Sequence, residues 1–176
     1  GPWKHWWDRF HEKHPEYFAS QPNGTRGGGD KPFPSKLNVK MCQSNSDLAE
    51  QFLADVAAQL EENPNLQVFN ASPGDGWAKG HCICPDCRVW DHPEAKIRWP
   101  FIWQGFSNKY VSLSDRDVTF ANRLARGLKE RWTDKELYIY MMAYGHSRPA
   151  PVEVVPDDNV IIGNVANFLL RSDMRD

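Results

Sequence analysis

Four cysteines constrain this chain more than any other feature of its sequence. Cys82, Cys84 and Cys87 fall within six consecutive residues, and Cys42 lies forty residues upstream of them. Four thiolates are the complete ligand set of a tetrahedral zinc site, in which each Zn–S bond is about 2.3 Å long. Such a site would fasten the clustered cysteines to the place where Cys42 lies. We therefore predict a zinc site with these four cysteines as its ligands.

Three other interpretations of the cysteines stay open at this point. The same four thiolates can hold an iron–sulfur cluster. Two disulfides, one of them joining Cys42 to a clustered cysteine, are typical of exported proteins and would need no metal. The residues Cys84 to Cys87 also have the CxxC spacing of thiol–disulfide oxidoreductases, in which Cys84 would be the attacking thiolate. That motif normally opens a helix directly after a strand, whereas here it lies in a long loop.

Composition narrows the class of protein and its partners. The chain has 176 residues, of which 40% are hydrophobic, and this is enough for one domain with a hydrophobic core. Its 21 basic and 23 acidic residues leave a net charge of -2, which argues against a broad surface for nucleic acid or anionic lipid. No apolar run approaches the roughly 18 residues of a membrane-spanning helix. We therefore expect neither nucleic acid nor a membrane among its partners.

The predicted helices and strands alternate, which favours an α/β fold. Apolar periodicity predicts helices at 3–14, 44–63 and 114–132 and strands at 36–42, 66–72, 136–145 and 159–165. Alternation of this kind is typical of parallel strands joined by right-handed crossovers. A complete eight-unit β/α barrel takes about 250 residues. We therefore predict parallel βα units that form part of a barrel-like (β/α)8 domain.

Residues 73–112 form a long insertion between the second predicted strand and the helix that follows it. Connections in βα units usually have about 2 to 6 residues, so we expect this insertion to be functional and fastened by the metal. Gly1 and Pro2 match the residues that a tag-removing protease leaves behind. We interpret residues 1–176 as a single α/β domain that is a fragment of a larger protein.

Asp75 is the carboxylate best placed for catalysis. It follows a predicted strand, lies between two glycines and precedes Trp77, whose ring is a suitable platform for a sugar. The C-terminal ends of parallel strands are where α/β folds build their sites. A glycoside hydrolase needs a pair of carboxyl groups, however, and no second one is equally well placed. The alternative is that Asp75 merely forms a turn in the sequence Pro-Gly-Asp-Gly.

Polar residues also follow the third and fourth predicted strands. Tyr144, His146 and Arg148 come after the third strand, and Asn164 lies at the end of the fourth. Arginine binds a carboxylate or sulfate through two parallel hydrogen bonds, so Arg148 suits a uronate or a sulfated sugar. We predict that these four residues contact substrate.

Five motifs, in this order, resemble a bacterial family called DUF4838: HPEYFA at 14–19, MCQSN at 41–45, SPGDG at 72–76, CICPDC at 82–87 and AYGHSRPAP at 143–151. The resemblance implies a barrel-like domain that occurs in larger, exported proteins. In those larger proteins, the resemblance implies, the domain occurs beside modules typical of glycoside hydrolases such as α-glucuronidases and hexosaminidases. The resemblance also implies a secreted or periplasmic location and links the chain to sugar processing by association.

Together these observations predict a carbohydrate-processing domain similar to glycoside hydrolases, with a structural four-cysteine metal site. One alternative is a non-catalytic module that binds glycan or protein, and another is a thiol redox protein. The expected partners are carbohydrate and either a second copy of the chain, in a homo-oligomer, or the remainder of the native protein.

Overall fold

The computed structural model describes residues 3–22, 24–26, 39–73, 80–95, 97–103 and 106–164. Its helices are α1 (Lys4–Phe10), α2 (Ser46–Glu62), α3 (Pro85–Arg88) and α4 (Ser114–Arg131). Its strands are β1 (Val68–Asn70), β2 (Ile97–Trp103), β3 (Phe106–Val111), β4 (Tyr138–Ala143) and β5 (Val160–Asn164). None of the described helices is both long and apolar enough to cross a membrane.

Three of the strands form a parallel sheet with the order β1-β4-β5. Val68 is opposite Tyr138, and Ala143 is opposite Asn164. Side chains of β4 alternate between buried and half-buried positions, as expected for a strand in the middle of a sheet. The prediction of a mixed α/β fold with parallel strands is confirmed. Within the described residues the sheet has three strands and does not close into an eight-stranded barrel.

The prediction of a parallel strand at residues 36–42 is wrong for its described part, residues 39–42. Met41 forms an isolated antiparallel bridge with Phe18. The N–H of Cys42 donates to the carbonyl of Tyr17 at 2.8 Å, and the N–H of Ala19 donates to the carbonyl of Lys40 at 3.0 Å. The alternating pattern correctly indicated extended backbone, but it does not determine which segment pairs with it.

The insertion at 73–112 contains regular structure that the sequence analysis did not predict. Strands β2 and β3 form an antiparallel hairpin in which Trp103 is opposite Phe106. Their sequences, IRWPFIW and FSNKYV, are rich in aromatic and β-branched residues, which is a strand signal. Pro100 weakens that signal because proline cannot donate to a strand ladder.

The larger of two buried clusters among the described residues joins α1, α2, α4, β1 and β4 in a hydrophobic core. Helix α2 contributes Leu48, Phe52 and Val56, which recur at helical spacing on one face. Trp3 is also buried, and its indole Nε1 donates to the carbonyl of Ser72 at 2.8 Å. This bond ties the N-terminal helix to the end of β1 and satisfies the one polar atom that a buried tryptophan brings with it.

Asp115, in the first turn of α4, holds the chain between β4 and β5. Its two carboxylate oxygens accept hydrogen bonds from the backbone N–H groups of Val152, Glu153 and Val154 at 2.9 to 3.0 Å. Burial raises the pKa of Asp115, but the three N–H donors outweigh it, and the pKa is lowered overall. The folded protein therefore prefers the ionised carboxylate.

We expect the Asp115→Asn variant to lose about 1.5–3 kcal/mol of unfolding free energy at neutral pH, the usual range for hydrogen bonds to a charged group. A carboxylate whose pKa is lowered by folding stabilises the protein above its unfolded pKa, about 3.9. This contribution is lost as the pH falls through the lower folded value, so the difference from wild type should shrink in acid. Denaturant unfolding from pH 7 to pH 3 measures this, with Asp134→Asn, in an exposed turn, as the control. A difference that stays constant with pH would contradict the assignment.

Candidate metal centre

The four cysteine sulfurs meet at one point in the fold and lie within 4.8 Å of one another. The Sγ atom of Cys42 is 3.7 Å from that of Cys84 and 3.9 Å from that of Cys87. Around a zinc ion with Zn–S bonds of about 2.3 Å, neighbouring sulfurs of a regular tetrahedron are about 3.8 Å apart. All four cysteines are free, since these separations far exceed the disulfide bond length of about 2.05 Å. Four cysteines in this arrangement can hold a metal ion.

Two tight local structures present the sulfurs. Cys42 lies in a turn closed by a 2.9 Å hydrogen bond from the N–H of Asn45 to its carbonyl, and Asn45 then caps α2. Cys84 caps α3, whose first residue is Pro85, and its Sγ accepts a hydrogen bond from the N–H of Cys87. One short helical turn therefore places the last two ligands side by side.

Backbone and hydroxyl donors point at the sulfurs. The N–H of Ser20 donates to Cys82 Sγ at 3.2 Å, and the N–H of Ser44 donates to Cys87 Sγ at 3.4 Å. The Ser44 hydroxyl also lies 3.1 Å from the sulfur of Cys87. Donors of this kind favour thiolates over thiols, which is the form that binds a metal.

The close sulfurs oppose one another's ionisation. Hydrogen bonds from Cys82 and Cys87 lower the pKa of Cys42. The same contacts with Cys42 raise the pKa of Cys82, and they raise the pKa of Cys87 to about 12. The shifts in pKa therefore favour the thiolate at Cys42 and disfavour it at Cys82 and Cys87. A divalent cation resolves this conflict, because it replaces the protons as the partner of all four sulfurs.

Arg116 of α4 holds the segment that carries three of the cysteines. This residue is 1% exposed, and its Nη1 donates to the carbonyl of Cys82 at 2.8 Å. The Nε and Nη2 atoms form a two-pronged pair with the carboxylate of Asp91. Burial lowers the pKa of Arg116, but Asp91 raises it, and the guanidinium stays charged.

Arg123, two turns further along α4, joins both sides of the site. Its Nη1 donates to the carbonyl of Ser44 at 2.9 Å, next to Cys42. Its guanidinium also lies over the ring of Trp90, 4.7 Å from the ring centroid. Helix α4 therefore braces the Cys42 turn and the cysteine-rich segment together.

A family described as "Domain of unknown function (DUF4838)" matches residues 5–174. The chain belongs to the DUF4838 family. No curated protein matches the chain, and no solved structure matches it. The match confirms the resemblance seen in the sequence motifs, and it covers the cysteine ligand set, the sheet and α4 alike.

The residues predicted to act on substrate lie in different settings of this DUF4838 domain. Asp75 and Trp77 lie outside the described residues, so their roles stay predictions. Tyr144 and Asn164 are exposed, and Arg148 is half-buried. His146 is buried, and its ring lies 5.4 Å from the ring of His81 in an edge-to-face arrangement.

The sequence analysis missed a buried polar group beside the metal centre. The Gln43 amide Nε2 donates to Asp117 Oδ1 at 2.7 Å, and Asp117 Oδ2 is buried as well. Burial raises the pKa of Asp117, and the hydrogen bonds from Gln43 and Ser147 offset only part of this effect. Gln43 also lines a small depression with Lys40 and His81. The sequence could have pointed to Gln43 and His81 only through their positions, since they are direct neighbours of Cys42 and Cys82.

We expect four reactive thiols per chain when the DUF4838 domain is denatured without a reductant in the presence of a chelator. We expect this number because the four cysteine sulfurs lie close together but form no disulfide bond with one another. A colorimetric thiol assay measures this, and the same assay after reduction is the control. A count of zero or two before reduction would contradict the arrangement.

Proposed function

We propose that the four cysteines bind one zinc ion and that the ion is structural. The observation that carries this proposal is the convergence of four sulfurs within 4.8 Å. Structural zinc sites have four protein ligands and no open position, whereas catalytic ones keep a position for water or substrate. Three of the four cysteines are buried, which fits a closed site. The ion fastens residues 80–95 against α4 and the Cys42 turn.

The sulfur separations favour a single ion over the other two thiol chemistries. An iron–sulfur cluster places several atoms between its cysteine ligands, and sulfurs this close leave room for one. A redox CxxC motif needs one attacking and one resolving thiol. Here Cys84 and Cys87 share their surroundings with the buried sulfurs of Cys42 and Cys82, which suits coordination better.

We further propose that the domain processes carbohydrate at the C-terminal edge of its sheet. The exposed Tyr144 and Asn164 and the half-buried Arg148 at this edge support the idea, together with the implied association of the family with glycoside hydrolase modules. Asp75 is the proposed catalytic carboxylate and Trp77 the proposed sugar platform. The alternative is a non-catalytic module that binds glycan or protein through the same edge.

The proposed setting is a secreted or periplasmic bacterial protein.

Ile161 and Ile162 of β5 are 41% and 37% exposed, and β5 pairs with β4 alone among the described strands. The remainder of a longer native chain, or a second copy in a homo-oligomer, is the partner that we propose for this strand.

For the zinc proposal, we expect about one zinc per purified chain by elemental analysis. The Cys84→Ser variant should lose the metal and melt at a lower temperature, because three ligands bind zinc less tightly than four. Val89→Ser changes a side chain that is 81% exposed on the same segment and should keep both properties. The proposal would be ruled out if the purified wild type contained no zinc and its melting temperature did not change when a chelator was added.

For the carbohydrate proposal, we expect turnover of an aryl glycoside panel that includes glucuronides. The Asp75→Asn variant should reduce turnover by about 10²–10⁴-fold, because that is the usual contribution of general acid–base catalysis. Asp86→Asn, on an exposed residue, is the matched control. Binding of glycans without turnover would favour the binding module, and neither binding nor turnover would exclude both.

A further inference from the structure

Arg116 is the one arginine that is almost fully buried among the residues whose burial the structure describes, and it lies beside the proposed metal centre. Helix α4 carries it, and the residue is 1% exposed. In a helix segment such as SDRDVTF, the arginine side chain normally points toward water, where its charge stays hydrated. Burying a guanidinium is costly unless a specific partner compensates for the lost hydration. The groups that contact Arg116 therefore indicate the role of its buried charge.

The first partner is Asp91, and it accounts for only part of the arrangement. The carboxylate accepts from Nε at 2.7 Å and also from Nη2. The remaining terminal nitrogen, Nη1, turns toward the carbonyl of Cys82, a metal ligand. The arginine therefore lies between a carboxylate on one side and the cysteine cluster on the other.

The charge of the filled site explains this placement. Four thiolates and one Zn²⁺ carry a formal charge of about −2, most of it in a buried region. A positive charge held beside the cluster is attracted to this negative charge and so favours the loaded site. Groups outside the ligand shell commonly change metal affinity by about 10- to 100-fold.

We propose that Arg116 is the positioning residue of the metal centre, which fixes the Cys82 backbone through Nη1 and balances the negative charge of the filled site. This inference rests on the proposed zinc site. Asp91 has the opposite electrostatic effect: it holds the arginine in place but adds a negative charge near the thiolates. The two residues therefore differ in the sign of their effect on zinc affinity, although both stabilise the fold.

Zinc affinity, measured by competition with a chromophoric chelator, tests this difference in sign. We expect Arg116→Met to weaken zinc binding by about 10- to 100-fold. Arg116→Lys should recover part of the loss because it keeps the charge, and its Co²⁺ complex should keep the absorption bands of a tetrahedral thiolate site. Asp91→Asn keeps an oxygen for Arg116 but removes the negative charge, so its zinc affinity should equal or exceed that of wild type. Arg126→Met changes an exposed arginine of the same helix, paired with Asp157, and should have no effect.

A purely structural salt bridge predicts a different pattern. In that case Arg116→Met and Asp91→Asn would both weaken zinc binding, and this result would overturn the proposal. A loss of less than tenfold in Arg116→Met would also overturn it. If Arg116→Met does not fold, Asp91→Asn decides alone: affinity equal to or tighter than wild type supports the proposal, and any weakening refutes it. Wild type that binds no zinc at all would instead refute the zinc site itself.

Discussion

Four sulfur atoms held within 4.8 Å of one another are the constraint on which the rest of this site depends. Thiolates repel at this distance, and thiols gain little from packing together. The arrangement is therefore stable as a site for a cation, which turns mutual repulsion into common attraction. The donors from Ser20 and Ser44 act in the same direction, because they favour the charged form of the sulfurs they contact.

The position of α4 explains how one helix serves both the core and the metal centre. Its apolar face, including Val118, Leu124 and Leu128, packs into the hydrophobic core. Its two braces, Arg116 and Arg123, reach the other way, to the carbonyls of Cys82 and Ser44. Because the helix is fixed by the core, the positions of its arginines are fixed as well. The core therefore sets the distance between the two halves of the cysteine cluster.

Local patterns predicted the long helices α2 and α4 and the strands of the parallel sheet, but they missed the β2–β3 hairpin and did not determine which segments pair. Helix α2 was predicted at 44–63 and lies at Ser46–Glu62, because its apolar stripe is long and strictly periodic. The segment before it was predicted as a parallel strand, but its bridging partner is Phe18. Cysteine count and spacing predicted that the four cysteines meet, and the structure places their sulfurs within 4.8 Å of one another. The role of Arg116 depends on a residue 25 positions away, and no local pattern encodes that distance.

The small buried fraction of residues 80–95 supports the proposed zinc site. Gly80, Cys82, Cys87 and Ala95 are the buried residues of this segment, and Trp90 packs partly buried against the hydrophobic core, so few apolar contacts order it. Fixing one residue of backbone costs about 1–2 kcal/mol. Binding of structural zinc by a small peptide releases about 10–16 kcal/mol at neutral pH, which is enough to offset the ordering of many residues. Gln43 and His81 are direct neighbours of Cys42 and Cys82 in the chain, so the proposed ion would also fix the backbone that carries them beside the depression. On this proposal, the bonds that order the segment also place the side chains around that depression.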